Sequence, residues 1–172
     1  MAPRSEQIAA WSRGLALEAV PADVREKAKL VFLDALGIAL ASSTMDFGLM
    51  ALDTARALGG QGESRLIGTA DKAAAANAVL ASGTLAHGLD YDDTLEEAIV
   101  HTGCVGAMTA LAVGEAVGAT GKDVLAAAIA AIEVMCKVGL AVPGKFHARG
   151  FHPTALCATF GAATAAAKLY HL

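Results

Sequence analysis

Charge is scarce in this chain: only 17% of its 172 residues are Asp, Glu, Lys or Arg, against 55% hydrophobic. Such a composition excludes a disordered segment, and the length suffices for one domain with a sizeable core. The 13 Lys and Arg are scattered, the formal net charge is −4 and the isoelectric point is about 5.7, so no basic patch invites nucleic acid. The cysteines, Cys104, Cys136 and Cys157, show no CxxC spacing and read as small buried hydrophobes of a reducing compartment. Neither GxGxxG nor the full GxxxxGK[ST] occurs, since Phe146 follows Gly144-Lys145, which leaves nucleotide binding without a motif. Uninterrupted apolar runs are missing too. Mean hydropathy is +0.51, yet Asp34 breaks LVFLDALGIALASS, and Glu133 and Lys137 break VLAAAIAAIEVMCKVGLAV. A membrane span needs about 20 mostly apolar residues in one run. The N-terminal stretch has charges throughout and no apolar h-region. The expectation is a cytoplasmic protein, with neither membrane nor nucleic acid as partner.

What is abundant is alanine, glycine and aliphatic residues at helical spacing, and the chain reads as all-α. A first helix is expected near residues 5–18. Pro21 opens a second, PADVREKAKLVFLDALGIALA, whose Leu30, Leu33, Leu36 and Leu40 share a face. A third covers about 46–58, GGQGE ends it, and SRLIGT is the one extended piece. Asp71 is placed to cap a fourth helix, KAAAANAVLASGTLAHGL, and Thr102 a fifth, GCVGAMTALAVGEAVG. In the fifth, Gly103, Ala107, Ala110 and Gly114 line a small-residue face that admits a neighbouring helix closely. Thr120 with Asp123 resembles a capping box for the sixth, where Glu133 and Lys137 form an i,i+4 pair before Pro143-Gly144. Pro153 opens a seventh helix that is expected to be still running at Leu172. The expectation is therefore a single domain, residues 1–172, incomplete at its C-terminus.

Titratable groups gather at the junctions. HGLDYDDT, residues 87–94, holds His87, Asp90, Asp92 and Asp93, while His101 and His152 each stand just before a helix. A helix N-terminus favours anions, so a ligand carboxylate near Thr102 or Thr154 would have an imidazole beside it. Converging imidazoles and carboxylates can take a proton from carbon next to a carboxylate and protonate a leaving hydroxyl, which is dehydratase or carbon-acid chemistry without a cofactor. Plainer assignments stand beside this one: a Thr94–Glu97 capping box, Asp92 or Asp93 as caps or turn residues, and His87 as a supporting core histidine. His101 and His152 also read as helix-entry residues, His147 and His171 as surface residues, and Arg149 as a solvated loop residue or a partner for a substrate carboxylate. No metal is expected: DYDDT lacks the glycine and glutamate of a calcium loop, and no His-x-x-x-His or cysteine pair completes a zinc site.

AHGLDYDDT, then VHTGCVGAMTALAVGEAVGATGKDVLAAAIAAIEV, then KFHARGFHPTALCATFGAATAAAKL resemble, in that order, the N-terminal part of the MmgE/PrpD family. That family comprises 2-methylcitrate dehydratases, cis-aconitate decarboxylases and relatives, and the likeness covers essentially the whole chain. It implies an all-α domain, lacking here the α+β lid domain beside it, and a homodimer or a complementing C-terminal chain. It further implies a cofactor-independent lyase, a dehydratase of a small polycarboxylate such as 2-methylcitrate. A cis-aconitate-type decarboxylase, an amino-dicarboxylate epimerase and a non-catalytic helical module that joins a partner chain are the alternatives. By motif, Asp90 matches an active-site aspartate, Thr94 the threonine closing DYDDT, His101 the histidine that follows, and His152 the histidine of GFHPT. The resemblance thus gives proton transfer to His101, the control of its protonation to Asp90, and the holding of substrate carboxylates to Thr94 and His152. Two departures are plain. His101-Thr102-Gly103 stands where many members read His-Pro, and the family's later catalytic lysine and histidine have no counterpart.

Overall fold

Helical spacing carries most of the chain into seven α-helices in the computed structural model, which describes residues 3–172. They are α1 (Arg4–Gly14), α2 (Ala22–Ser42), α3 (Asp46–Leu58), α4 (Ala75–His87), α5 (Gly103–Val117), α6 (Gly121–Leu140) and α7 (Pro153–Leu169). Between α3 and α4 a minimal antiparallel ribbon pairs β1 (Ser64–Arg65) with β2 (Lys72–Ala73). The domain is all-α, as the spacing indicated. Among the described residues no single helix is long and apolar enough to cross a membrane, and the α2–α3 pair, apolar enough jointly, bends by 94°.

Small residues let α5 sit at the centre, packed against α2, α4, α6 and α7. Gly106 of α5 lies against Ala128, Ala131 and Ile132 of α6, and Gly114 lies against Val124. Gly161 of α7 faces Met135 and the Ala131 carbonyl of α6 in the same way. Such contacts bring backbones together and leave buried Leu52, Leu66, Leu85, Met108 and Met135 to fill the remaining space. Cys104 and Cys157 are buried and Cys136 half-buried, all three as free thiols, and burial pushes the Cys136 thiol up to about 11.

Several expected local features give way to packing. Three of the four leucines of α2 lie off its core face: Leu30, Leu33 and Leu40 are exposed, at 59, 67 and 54%, and only Leu36 packs against the core. The buried stripe is Ala28, Val31, Ala35, Ile38, Ala39 and Ser42, because only a small-residue face fits closely against α4 and α5. The first helix stops at Gly14, followed by a 3-10 turn at Leu17–Ala19. The Lys168 ammonium donates to the Ser12 and Leu15 carbonyls at 2.8 and 2.7 Å, which ties the end of α1 to α7. Asp71 does not cap α4, which starts only at Ala75; its carboxylate instead pairs with Arg56 at 2.8 Å. The Thr120–Asp123 capping box on α6 is present, with both reciprocal bonds. α7 does not run to Leu172. It stops at Leu169, where His171 adopts a left-handed φ of 59° and the His171 and Leu172 amides donate back to the Lys168 and Ala167 carbonyls. That pattern is a Schellman stop made without glycine.

Candidate active site

The site begins with a cap that comes from outside its helix. Thr102 occupies the N-cap position of α5, but its side chain accepts no bond there. The Asp93 carboxylate does the capping, accepting from the Gly103 amide at 2.7 Å, the Thr102 amide at 3.3 Å and the Thr102 hydroxyl at 2.6 Å. A carboxylate suits the positive end of a helix. Gly103 makes the approach possible, because a Cβ there would collide with Asp93 Oδ1 and with Val31. His-Thr-Gly therefore stands where a carboxylate must come close to the backbone.

Pinning Asp93 fixes its neighbours. Asp92 turns inward, its carboxylate fully buried and 3.0 Å from His87 Nδ1, at the end of α4, and 3.3 Å from His101 Nδ1. Asp90 turns outward on a left-handed residue (φ 56°); its side chain is 80% exposed and its carboxylate lies 3.8 Å from His101 Nε2. The Thr94 hydroxyl donates to the Asp92 carbonyl at 3.1 Å and stands 3.2 Å from His101 Nδ1. Thr94 and Glu97 make no capping box, since residues 95–100 form a turn closed by a single bridge between Leu95 and Val100.

The third junction closes the group. His152 is the N-cap residue of α7, with Pro153 in the first turn, and the Thr154 hydroxyl accepts from the His101 amide at 3.0 Å. Ring centroids are 4.7 Å apart for His87 and His101, 5.6 Å for His87 and His152, and 6.3 Å for His101 and His152. The three separated stretches thus meet in one cluster. Burial, and then the proximity of His87 and His101, holds His152 below the usual imidazole range. His147 and Arg149 lie in a separate exposed 3-10 turn, and His171 is exposed at the end of the chain.

All four residues singled out in the sequence, Asp90, Thr94, His101 and His152, lie in this neighbourhood, and two others join them. Asp92, which read as a cap or turn residue, is the carboxylate nearest His101. His87, which read as a support, shares that carboxylate and stacks on His152. No local pattern distinguishes Asp92 from Asp90 or Asp93; the left-handed turn at Asp90 decides which acid faces inward.

A mainly apolar cavity of about 420 Å³ borders His87, His152 and Thr154, with Val79, Leu80 and Gly83 on its far wall. A larger cavity, about 860 Å³, contains none of these histidines, and several of its charged groups are engaged elsewhere. There Lys168 holds the α1 carbonyls, Asp123 serves the α6 cap, and Lys122 pairs with Glu18.

With Nδ1 of His101 against Asp92, Nε2 is turned toward Asp90, and the N-terminus of α7 starts beside the cluster at His152. Fold and site define an all-α domain with a histidine–aspartate cluster where α4, α5 and α7 meet. The family model MmgE/PrpD N-terminal domain matches residues 6–172, and the chain belongs to the MmgE/PrpD family. Among curated proteins it is similar to cis-aconitate decarboxylase of Aspergillus terreus, 26% identical over 98% of this chain and 36% of that protein. It is also 26% identical to cis-aconitate decarboxylase of Aspergillus terreus strain NIH 2624 / FGSC A1156, over 96% of this chain and 35% of that protein. The chain spans about a third of the length of these relatives.

Proposed function

We propose that this chain supplies the helical part of a cofactor-independent lyase that acts on a small polycarboxylate, with dehydration of a substrate such as 2-methylcitrate as the reaction. The observation that carries this reading is His101, with Nδ1 on the buried Asp92 carboxylate and Nε2 open toward Asp90. In this reading, His101 takes the proton next to a substrate carboxylate, and Asp92 orients the imidazole and stabilises its charged form. Asp90, exposed and 3.8 Å away, shares the proton work. Thr94, His152 and the N-terminus of α7 hold substrate carboxylates.

A second reading, decarboxylation of a cis-aconitate-like substrate, is favoured by the name of the relatives. An amino-dicarboxylate epimerase would use the same first step. Exposed Leu30, Leu33 and Leu40 favour a second copy of the chain, or a complementing C-terminal chain, as partner. They equally suit a helical module whose site is idle.

Turnover followed by NMR on 2-methylcitrate, citrate, cis-aconitate and iminodisuccinate separates these readings, since each gives a different product. Product formation that is lost in folded His101→Ala and Asp92→Asn supports the lyase. Unchanged turnover in both variants removes the proposed site, and folded protein inert in the presence of its C-terminal complement points to the idle module.

A further inference from the structure

The cavity of about 420 Å³ beside the cluster changes character along its length. At the cluster it is bordered by His87, His152 and Thr154. Away from it, α4 runs back from His87 to Val79 and α7 runs forward from His152 to Ala158, and the lining there is Val79, Leu80, Gly83, Val105 and Ala158. At 1.5 Å per residue the stretch of α4 from Val79 to His87 is about 12 Å long.

Polar groups within the apolar part are engaged or uncharged. The Thr84 hydroxyl donates to the Leu80 carbonyl at 2.8 Å, and burial pushes the Cys104 thiol up, which keeps it neutral. The cluster end differs: the His152 imidazole makes no hydrogen bond among the described residues and is left for a ligand. Gly83 keeps the floor open, since a Cβ there would meet only the Cys104 carbonyl, at 3.5 Å. Leu80, 54% exposed, would be covered by anything lying in the groove.

A groove polar at one end and apolar along the rest matches an anion that carries an alkyl arm. We propose that it is a subsite for an alkyl arm of several carbons on the polycarboxylate, with Leu80 and Gly83 setting the length of arm accepted. The proposal rests on the polycarboxylate reading of the cluster and adds the apolar part of the ligand. Binding is read without turnover, so the subsite stands or falls apart from the lyase chemistry.

The test titrates succinate, methylsuccinate, propylsuccinate and pentylsuccinate into the full chain by calorimetry, with imidazole ¹H–¹⁵N correlations recorded alongside. Burial of each further methylene is expected to tighten binding about fourfold, with shifts at His87 and His152 in every complex. Gly83→Leu, whose side chain fills the floor, should bind succinate as wild type does and lose the gain from propyl and pentyl. Leu80→Ser alters an exposed residue, so it decides the matter should Gly83→Leu fail to fold; the gain from succinate to pentylsuccinate should shrink at least threefold in it. Equal affinities along the series, or the full gain in the folded variants, overturn the subsite and leave the polycarboxylate reading in place. Pentylsuccinate bound without imidazole shifts also overturns it, and failure of every member to bind overturns both.

Discussion

Oδ1 of Asp92 stands 3.3 Å from Nδ1 of His101, inside the protein, while Asp90 approaches the opposite nitrogen from solvent at 3.8 Å. The two carboxylates therefore have different work. Replacing Asp92 removes the group that fixes the ring, whereas replacing Asp90 removes one that can be substituted by water.

On the proposed lyase reading, Asp92→Asn is expected to lower kcat roughly 10²–10⁴-fold with little change in KM, the range associated with loss of a positioned acid–base partner. Asp90→Asn is expected to cost less. Steady-state kinetics of the two variants check the order, and an equal or reversed order contradicts the division of roles.

Asp93 predicts a stability effect rather than a chemical one. Its carboxylate caps α5 through three hydrogen bonds, at 2.6, 2.7 and 3.3 Å. Asp93→Ala leaves the Thr102 and Gly103 amides without that acceptor and is expected to destabilise the fold by about 2 kcal/mol. Thr102→Val removes one of the three bonds and should cost about half as much. Urea denaturation of both variants measures the difference.

Two glycines test the close helix crossings. A Cβ on Gly48 would collide with the Ser42 carbonyl, which is backbone and cannot step aside, and also with Leu85. On Gly161 it would strike the Met135 side chain, which is flexible, and would approach the Ala131 carbonyl to 3.2 Å. Gly48→Ala is therefore expected to cost roughly 3 kcal/mol and Gly161→Ala roughly 1–2 kcal/mol. Thermal or urea unfolding reads the ranking.

These crossings also mark where the sequence could and could not be read. Helix number, the all-α class and the Thr120–Asp123 box were legible, because each rests on residues a few positions apart. The core face of α2 was not. Four leucines at helical spacing look like a core stripe, yet alanine permits the close approach that α4 and α5 require, and three of the four, Leu30, Leu33 and Leu40, are left outside while Leu36 packs at the core's edge. The same limit governs the site. His101 and His152 stood out at helix entries, but Asp92 acquires its place from a left-handed turn at Asp90 and from Asp93 holding α5. Asp71 and Thr94 failed as caps for a related reason: one is drawn to Arg56, 15 residues back, and the other lies in a turn that never becomes a helix.

A pH effect follows from His152. Burial and the neighbouring imidazoles depress its pKa, so the unfolded chain binds the proton more readily than the folded one. The associated stability is present above the ordinary imidazole value of about 6.5 and is lost as pH falls below it. Wild type should lose stability as pH falls below about 6.5 more steeply than His152→Gln. Parallel curves would contradict the depressed value.

The most direct test of the central claim, that His87, His101 and His152 form one site for a polycarboxylate, is a side-chain NMR titration. Imidazole ¹H–¹⁵N correlations of the protein are followed as citrate or cis-aconitate is added. The account predicts saturable shifts at His87, His101 and His152, with His171 unmoved. Shifts confined to His171, or none at all, would contradict it.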